Sequence, residues 1–349
     1  MIEIPQYVKR VMDAIAAANE ESYIVGGSLR DSLLLKDAND YDLATSSLPE
    51  RTMEIFDGWR VIATGLKHGT VTVISDGRPI EITTFRVDGG YTDSRHPDSV
   101  SFTRSIEEDV SRRDFTVNAM AYNERRGLVD LFGGQDDLKN GILRAVGDPE
   151  RRFEEDALRI MRAFRFSAQL GFKIEENTLK ATYTCREGLA KIARERIATE
   201  LFKLICSDFP ERALEQMKES GVLLYALGDC LPDSERIALL TKMPKDEGAR
   251  LGFLLHGMSA DSARRIINEL RCSNKIKSTA LAVAEHAGER FGDRCAVSKL
   301  CARIGDRAEY ALCASVLLGN SPAEVLDSLT EHGVHVPAAH SLRYISSHF

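Results

Sequence analysis

"YIVGGSLRDSLLLKDANDYDLATS", Tyr23 to Ser46, is the stretch on which the fold turns. An apolar run ends in a glycine pair, a serine opens a helical pattern, and "DYD", Asp40 to Asp42, leads into a second apolar run. We expect a strand at "YIVGG", a helix from Ser28 and another strand at "YDLAT". Side chains alternate along a strand, so Asp40 and Asp42 share one face, their Cα atoms about 6.5–7 Å apart, while Tyr41 and Leu43 turn to the core. Like charges this close raise each other's pKa or take a counter-ion, and a pair of divalent cations turns that cost to use. Oxygen donors favour Mg²⁺. A polar turn with solvated acids is the alternative for a DxD taken alone. The surroundings argue against that alternative, because free N–H groups at Gly26-Gly27-Ser28, at the positive end of a helix, suit an anion, and Arg30 lies in the first turn. No GK[ST] follows and GxGxxG is absent, so this is neither a Walker loop nor a dinucleotide fingerprint.

Outward from this stretch the chain divides by pattern. An amphipathic helix from Pro5 precedes it, and strands follow at "GTVTVI" and "PIEITTFRV". From Asp148 onward helical periodicity takes over, with "PERRFEEDALRIMRAFRFSAQL" and "RERIATELFKLI" as the first long segments. At 349 residues, two or more domains are expected. Seven cysteines, all from Cys185 on and without CxxC spacing, fit reduced thiols rather than disulfides or a zinc site. No apolar run approaches the roughly 18 residues of a membrane span, and no signal-type segment opens the chain, so a cytoplasmic protein is expected. A net charge of −7 argues against a surface coated in nucleic acid, yet five arginines between Arg151 and Arg165 show that the average conceals basic clusters.

Two further blocks carry chemistry. "SIEEDVSRRDFTVNAMAYN", Ser105 to Asn123, pairs Arg112 and Arg113 for binding a triphosphate, with Asp114 and Asn118 for a ribose or for fixing the arginines. A surface ion pair is the alternative for an isolated RRD. In "RFEEDALRIMRAFRFSAQLGF" a continuous helix would make Asp156 and Arg159 i,i+3 neighbours, with Arg162 and Arg165 on the same ridge. A carboxylate accepts and a guanidinium donates, so together they form an edge that takes cytosine and adenine and refuses uracil and guanine. Solvated salt bridges from Glu155 and Asp156 to Arg159 and Arg162 are the alternative.

"GGSLRD" followed by "DYDLAT" resembles the head of nucleotidyltransferases related to polymerase β. "RRDFTxNA" is similar to class II tRNA nucleotidyltransferases and the bacterial poly(A) polymerases, "EDxxR" to the base-reading block of class II CCA-adding enzymes, and "ERIATEL", Glu195 to Leu201, to their ERxxxEL. These blocks, in order, span residues 26 to 201. The resemblance implies an α+β fold, with a polymerase-β-like head of mixed sheet and helices at 1–143, an all-helical neck at 144–206, and a helical body and tail at 207–349. It implies that Asp40 and Asp42 are catalytic and hold Mg²⁺, that Gly27, Arg30 and Arg113 bind the triphosphate, and that Asp156 and Arg159 read the base with Arg162 and Arg165 in support. The ERxxxEL motif would buttress the base-reading helix without touching the nucleotide; taken alone, it would be a helix ion pair, Glu195 or Arg196 with Glu200.

The implied activity is CCA addition to tRNA 3′ ends from CTP and ATP, with tRNA held by its 3′ end and acceptor arm. "FRVDGGYTDSRHPDSVSFTRS", Phe85 to Ser105, with Arg86, Asp88, Arg95 and His96, resembles the intact loop of enzymes that add the terminal A. Glu81 is a candidate third carboxylate beside the metal, or a solvated strand position; His68 reads as structural, and no Asp follows His256 to make a phosphohydrolase pair. "LRCSNK", Leu270 to Lys275, is similar to an LRxSNK of the Gram-positive-type body, and the tail is expected to be reduced at this chain length. A poly(A) polymerase, an A-adding specialist and a non-catalytic RNA-binding protein remain open as alternatives.

Overall fold

A computed structural model of the protein describes residues 2–36, 40–63, 65–89, 100–229 and 231–330. Two compact units form: one from the chain up to Arg159 with Lys173–Cys185, the other from Ile160–Phe172 with the chain from Arg186 onward.

In the first unit, α1 (Gln6–Ala17) buries Val8, Val11 and Ile15 and leads to β1 (Ser22–Val25), α2 (Gly26–Leu33), β2 (Asp42–Thr45) and α3 (Pro49–Ile55). Next come β3 (Arg60–Ile62), β4 (Thr70–Ser75), β5 (Arg78–Thr84), the hairpin β6 (Arg86–Asp88) and β7 (Val100–Phe102), and α4 (Ile106–Ser111). Ser105 caps α4, accepting from the Glu108 amide at 3.3 Å. The unit continues through β8 (Met120–Asn123), β9 (Gly127–Asp130), α5 (Gly134–Asn140), β10 (Ile142–Leu143) and α6 (Pro149–Glu155).

Seven strands order as β3-β4-β5-β2-β1-β8-β9, with β2 and β5 parallel and the other pairs antiparallel. Tyr23, Val25, Ala44, Phe85, Ala121 and Val129 form a core with Ile106 and Val110 of α4. The strand expected at "YIVGG" stops at Val25, because Gly26 takes a left-handed backbone that ends the extended run, and the helix begins at Gly26 instead of Ser28.

The long helix expected from residue 149 is two helices. Asp156 has extended backbone, φ −144° and ψ 103°, and separates α6 from α7 (Leu158–Leu170). Its Oδ1 accepts from the Leu158 amide at 3.0 Å, a side-chain cap competing with helix continuation. The region expected to be all helical also holds one short strand, β11 (Lys173–Ile174), parallel to β10, reached after Gly171 turns the chain at φ +73°. Helix α8 (Glu176–Cys185) completes this unit.

The second unit is helical: α9 (Arg194–Ile205), α10 (Pro210–Glu219), α11 (Leu223–Leu227), α12 (Ser234–Leu239), α13 (Glu247–Leu255), α14 (Ala260–Glu269), α15 (Asn274–His286), α16 (Arg294–Ile304) and α17 (Ala308–Leu317). Gly252 lets α13 approach α15 closely; a Cβ there would fall 2.4 Å from the Ala280 carbonyl oxygen. The fully buried Arg250 donates to the carbonyls of Ile205, Ser207, Met243 and Pro244, tying the end of α9 to the start of α13. No helix of the described residues is long and apolar enough to cross a membrane.

Candidate active site

The end of β1 and the start of α2 expose bare backbone. A side chain at Gly26 would be strained at φ +68°, and its Cβ would stand 3.6 Å from Arg113 Nη1; a Cβ on Gly27 would stand 3.7 Å from Arg30 Nη2. Two guanidiniums therefore flank the N-terminal turn of α2, forming an anion cradle. Ser28 Oγ donates back to the Val25 carbonyl at 3.1 Å and serves the turn.

Arg30 is buried, its Nε on Asp31 Oδ1 at 2.9 Å and its Nη1 on Asn118 Oδ1 at 2.9 Å. Asn118 Nδ2 donates to Asp114 Oδ1 at 3.3 Å, and that oxygen also takes the Phe115 amide. Asp114 thus fixes Asn118, and Asn118 fixes Arg30. The two residues assigned to a ribose or to the arginines act here on an arginine. Arg113 donates from Nη2 to Asp109 Oδ2 at 2.9 Å, while its Nε is buried without an acceptor among the described residues. A buried unpaired donor beside a cradle suits a ligand oxygen.

Asp42 opens β2, and the exposed–buried alternation from Asp40 to Leu43 is as the sequence requires, with Tyr41 and Leu43 in the core. Asp40 itself lies just before the strand. In the sheet register Asp42 stands opposite Val25 on one side and Glu81 on the other. On β5 Glu81 is exposed between buried Ile80 and Ile82, so it shares the face of Asp42. Desolvation first, then the charges of Glu81 and Asp40, push the Asp42 carboxyl up to about 6, with Arg113 pulling the other way. A carboxyl pushed up by the charges of its acidic neighbours, at the edge of an anion cradle, fits a divalent cation; all donors are oxygen, the preference of Mg²⁺. No cluster of three His, Cys, Asp or Glu side chains spaced for a metal occurs among the described residues, so a cation here would complete its shell with phosphate and water.

The base-reading block differs from expectation. Asp156 and Arg159 do not lie on one helix, and Asp156 is not among the acceptors of the Arg159 side chain. Arg159 is buried, with Nη1 on Glu155 Oε2 at 2.7 Å and on the Arg152 carbonyl at 3.0 Å, and Nη2 on the Arg112 carbonyl at 3.2 Å. Glu155 also receives Arg152 at 2.9 Å. Three of the five guanidinium N–H groups are committed, leaving Nε and one on Nη2. The Glu155 alternative therefore holds for Glu155 with Arg159, in a largely enclosed setting instead of a solvated one.

Arg162 and Arg165 lie on α7 and both approach the Phe166 ring, at 5.2 and 4.0 Å from its centroid. Arg165 Nε stands 3.1 Å from Glu200 Oε2, both side chains buried. Glu200 of ERxxxEL thus pairs across to α7, not with Glu195 or Arg196, and Glu195 meets Arg271 at 2.8 Å.

The sequence reading did not assign Asp109 or Glu155 to the site. Their signal was present as acid–arginine spacings of three and four residues. His68 offers its carbonyl to Arg86 Nη1 at 3.1 Å, and His256 Nδ1 meets the Ala284 carbonyl at 3.0 Å, both structural contacts. Arg95 and His96 lie outside the described residues, as does the tail beyond residue 330.

Comparison with known proteins adds an independent line. The family model described as "Poly A polymerase head domain" matches residues 22–144, and "Probable RNA and SrmB-binding site of polymerase A" matches 171–231. A CCA-adding enzyme of Streptococcus gordonii is 51% identical over 223 residues, covering 64% of this chain and 54% of that protein. One of Streptococcus suis is 42% identical over 283 residues, covering 79% of this chain and 69% of that protein. The crystal structure of the Bacillus stearothermophilus CCA-adding enzyme in complex with CTP superposes with a TM-score of 0.79 at 31% identity, covering 94% of this chain and 82% of that one. The chain spans about half the length of several curated relatives it matches.

Proposed function

Because the chain belongs to the family of CCA-adding enzymes, we propose that it adds CCA to tRNA 3′ ends from CTP and ATP without a nucleic-acid template, releasing pyrophosphate. The observation that carries this reading is the placement of Asp42 beside Glu81, under the influence of Arg113, at the mouth of the Gly26–Gly27 cradle. Mg²⁺ held by Asp40 and Asp42 would supply charge stabilisation at the reacting phosphate and acidify the terminal hydroxyl. The chain itself does the rest. Backbone at Gly27, with Arg30 and the unpaired Nε of Arg113, holds the triphosphate, so that the terminal 3′-hydroxyl of tRNA meets the α-phosphate in line.

Arg159, its plane set by Glu155, offers its two remaining N–H donors to the base, and Asp156 offers the acceptor side. Arg162 and Arg165 act behind it, Arg165 through Glu200. In this reading residues 1–143 are the catalytic head, 144–206 the neck that reads the base, and 207–349 the body and tail that grip the acceptor arm. The enzyme works in the cytoplasm, where tRNA and both nucleotides are present.

The test is to incubate the protein with Mg²⁺ and tRNA ending before CCA, after the first C or after CC, offering CTP, ATP or both, and to resolve products by length. Three nucleotides followed by a stop support the reading. A added only to the CC-ended tRNA makes the protein an A-adding specialist. An ATP ladder that runs on makes it a poly(A) polymerase, and no Mg²⁺-dependent product leaves an RNA-binding protein.

A further inference from the structure

Asp109 is the most completely enclosed acid around the site, 1% exposed on α4, and it accepts from three places at once. Its Oδ1 takes Arg112 Nε at 3.1 Å and Nη2 at 2.8 Å, together with the backbone amide of Arg86 at 3.3 Å; its Oδ2 takes Arg113 Nη2 at 2.9 Å. Burial alone would raise its pKa, but Arg113 and Arg112 carry it below the ordinary carboxylate range, so it is a fixed anion.

Each of the three partners leads elsewhere in the site. Arg113 turns its other nitrogen, Nη1, toward Gly26 and keeps Nε unpaired. The carbonyl of Arg112 receives Arg159, which would read the base. Arg86 begins the β6–β7 hairpin, whose strands run Arg86–Asp88 and Val100–Phe102. An arginine held at one nitrogen by a buried carboxylate loses most of its rotamer freedom, and its remaining donors then point in one direction.

We propose that Asp109 is the positioning residue of the nucleotide site: it aims Arg113 at the triphosphate and anchors to the same carboxylate the foot of the β6–β7 hairpin and the backbone that holds Arg159. This rests on the proposed nucleotidyl transfer. The predicted signature is a loss of nucleotide affinity shared by CTP and ATP, with tRNA affinity untouched, because Arg113 would meet phosphates common to both.

The test uses the full-length protein and two readouts. CTP and ATP binding is measured by calorimetry without tRNA, and KM for nucleotide and tRNA separately in the addition assay. Asp109→Asn is expected to weaken both nucleotides about 10- to 100-fold, the usual scale for removing a residue that orients a ligand-binding group, with the KM for tRNA within about twofold. Asp109→Asn combined with Arg113→Met should weaken nucleotide binding by less than the product of the two single losses, since part of the acid's effect runs through that arginine. Unchanged nucleotide affinity in folded Asp109→Asn, or full additivity with Arg113→Met, overturns the proposal. If Asp109→Asn does not fold, Asp109→Glu keeps the charge and displaces it by about one bond length, roughly 1.5 Å; several-fold weaker nucleotide binding supports the inference and wild-type affinity refutes it. A wild-type protein that binds CTP yet extends no tRNA would sink the catalytic reading alone, leaving the binding comparison to decide on Asp109.

Discussion

Removing the Glu200 charge is the sharpest test of how α9 is tied to α7 within the second unit. Arg165 Nε and Glu200 Oε2 are 3.1 Å apart, and their side chains are only 8% and 7% exposed. Neither atom has an aligned hydrogen bond, so the contact is essentially Coulombic between two desolvated charges. Breaking a buried pair costs about 3–5 kcal/mol; poor alignment places Glu200→Gln near the low end, about 3 kcal/mol. For a unit of this size about 2–4 °C accompany each kcal/mol, which gives a fall of about 6–12 °C in its melting temperature. Calorimetry and urea unfolding on wild type, Glu200→Gln, Arg165→Met and Glu200→Gln with Arg165→Met complete the measurement. The double variant should recover about 2 kcal/mol relative to the sum of the two single losses, because the one shared contact is lost only once. Single variants within about 0.5 kcal/mol of wild type, or strict additivity, would refute a buttress at this position.

Three further outcomes follow from the geometry. The raised pKa of Asp42 means that the metal-free native state binds a proton there more tightly than the unfolded chain does, so its contribution makes stability fall as pH rises from about 4 to about 6; Asp42→Asn should flatten that slope in urea titrations and abolish Mg²⁺-dependent addition, and turnover at the wild-type rate would remove Asp42 from the site. Leu35 occupies the left-handed position after α2 at φ +56° with its side chain 95% exposed, while Lys36 N to Asp31 O at 2.9 Å closes the cap; Leu35→Gly should stabilise by about 0.5–1 kcal/mol, and a destabilised variant would show that the leucine makes a contact of its own. Arg250→Met should destabilise the second unit by about 3–5 kcal/mol, since it strips a buried cation from carbonyls at the end of α9 and before α13, and an unchanged urea midpoint would contradict that role.

The fold was most legible where a local pattern and a local cause coincide. Alternation placed Asp40 and Asp42 outward and Tyr41 and Leu43 inward, and the glycine pair marked the entry to α2, although one residue type carried the error: Gly26, read as strand, turns left-handed and starts the helix. The break at Asp156 was not legible, because "EEDALRIMR" contains good helix formers, no glycine and no proline, while in the fold the carboxylate takes the Leu158 amide and competes with helix continuation. Glu81 gained its neighbour from a parallel register between β2 and β5, which no spacing in the sequence encodes. The partner of Glu200 lies 35 residues away on α7. A local reading offered Glu195 and Arg196 because periodicity sees only one helix at a time.

A net charge of −7 first counted against a polyanionic partner, and the geometry resolves that tension. Arg30 is backed by Asp31, Arg112 and Arg113 share Asp109, and Arg152 and Arg159 share Glu155. In each case the acid sits close in sequence and spends part of the guanidinium's hydrogen-bonding capacity holding it in place. What remains is directional: Arg113 keeps Nε and Arg159 keeps two N–H groups without a protein acceptor among the described residues. An arginine-rich surface would attract any nucleic acid through its field, and salt would screen that attraction. Arginines neutralised from behind contribute little long-range field and act through aimed donors at contact distance, which favours selecting a particular phosphate or base edge over capturing RNA at large. Asp31, Asp109 and Glu155 therefore belong, with the arginines they hold, to the proposed site.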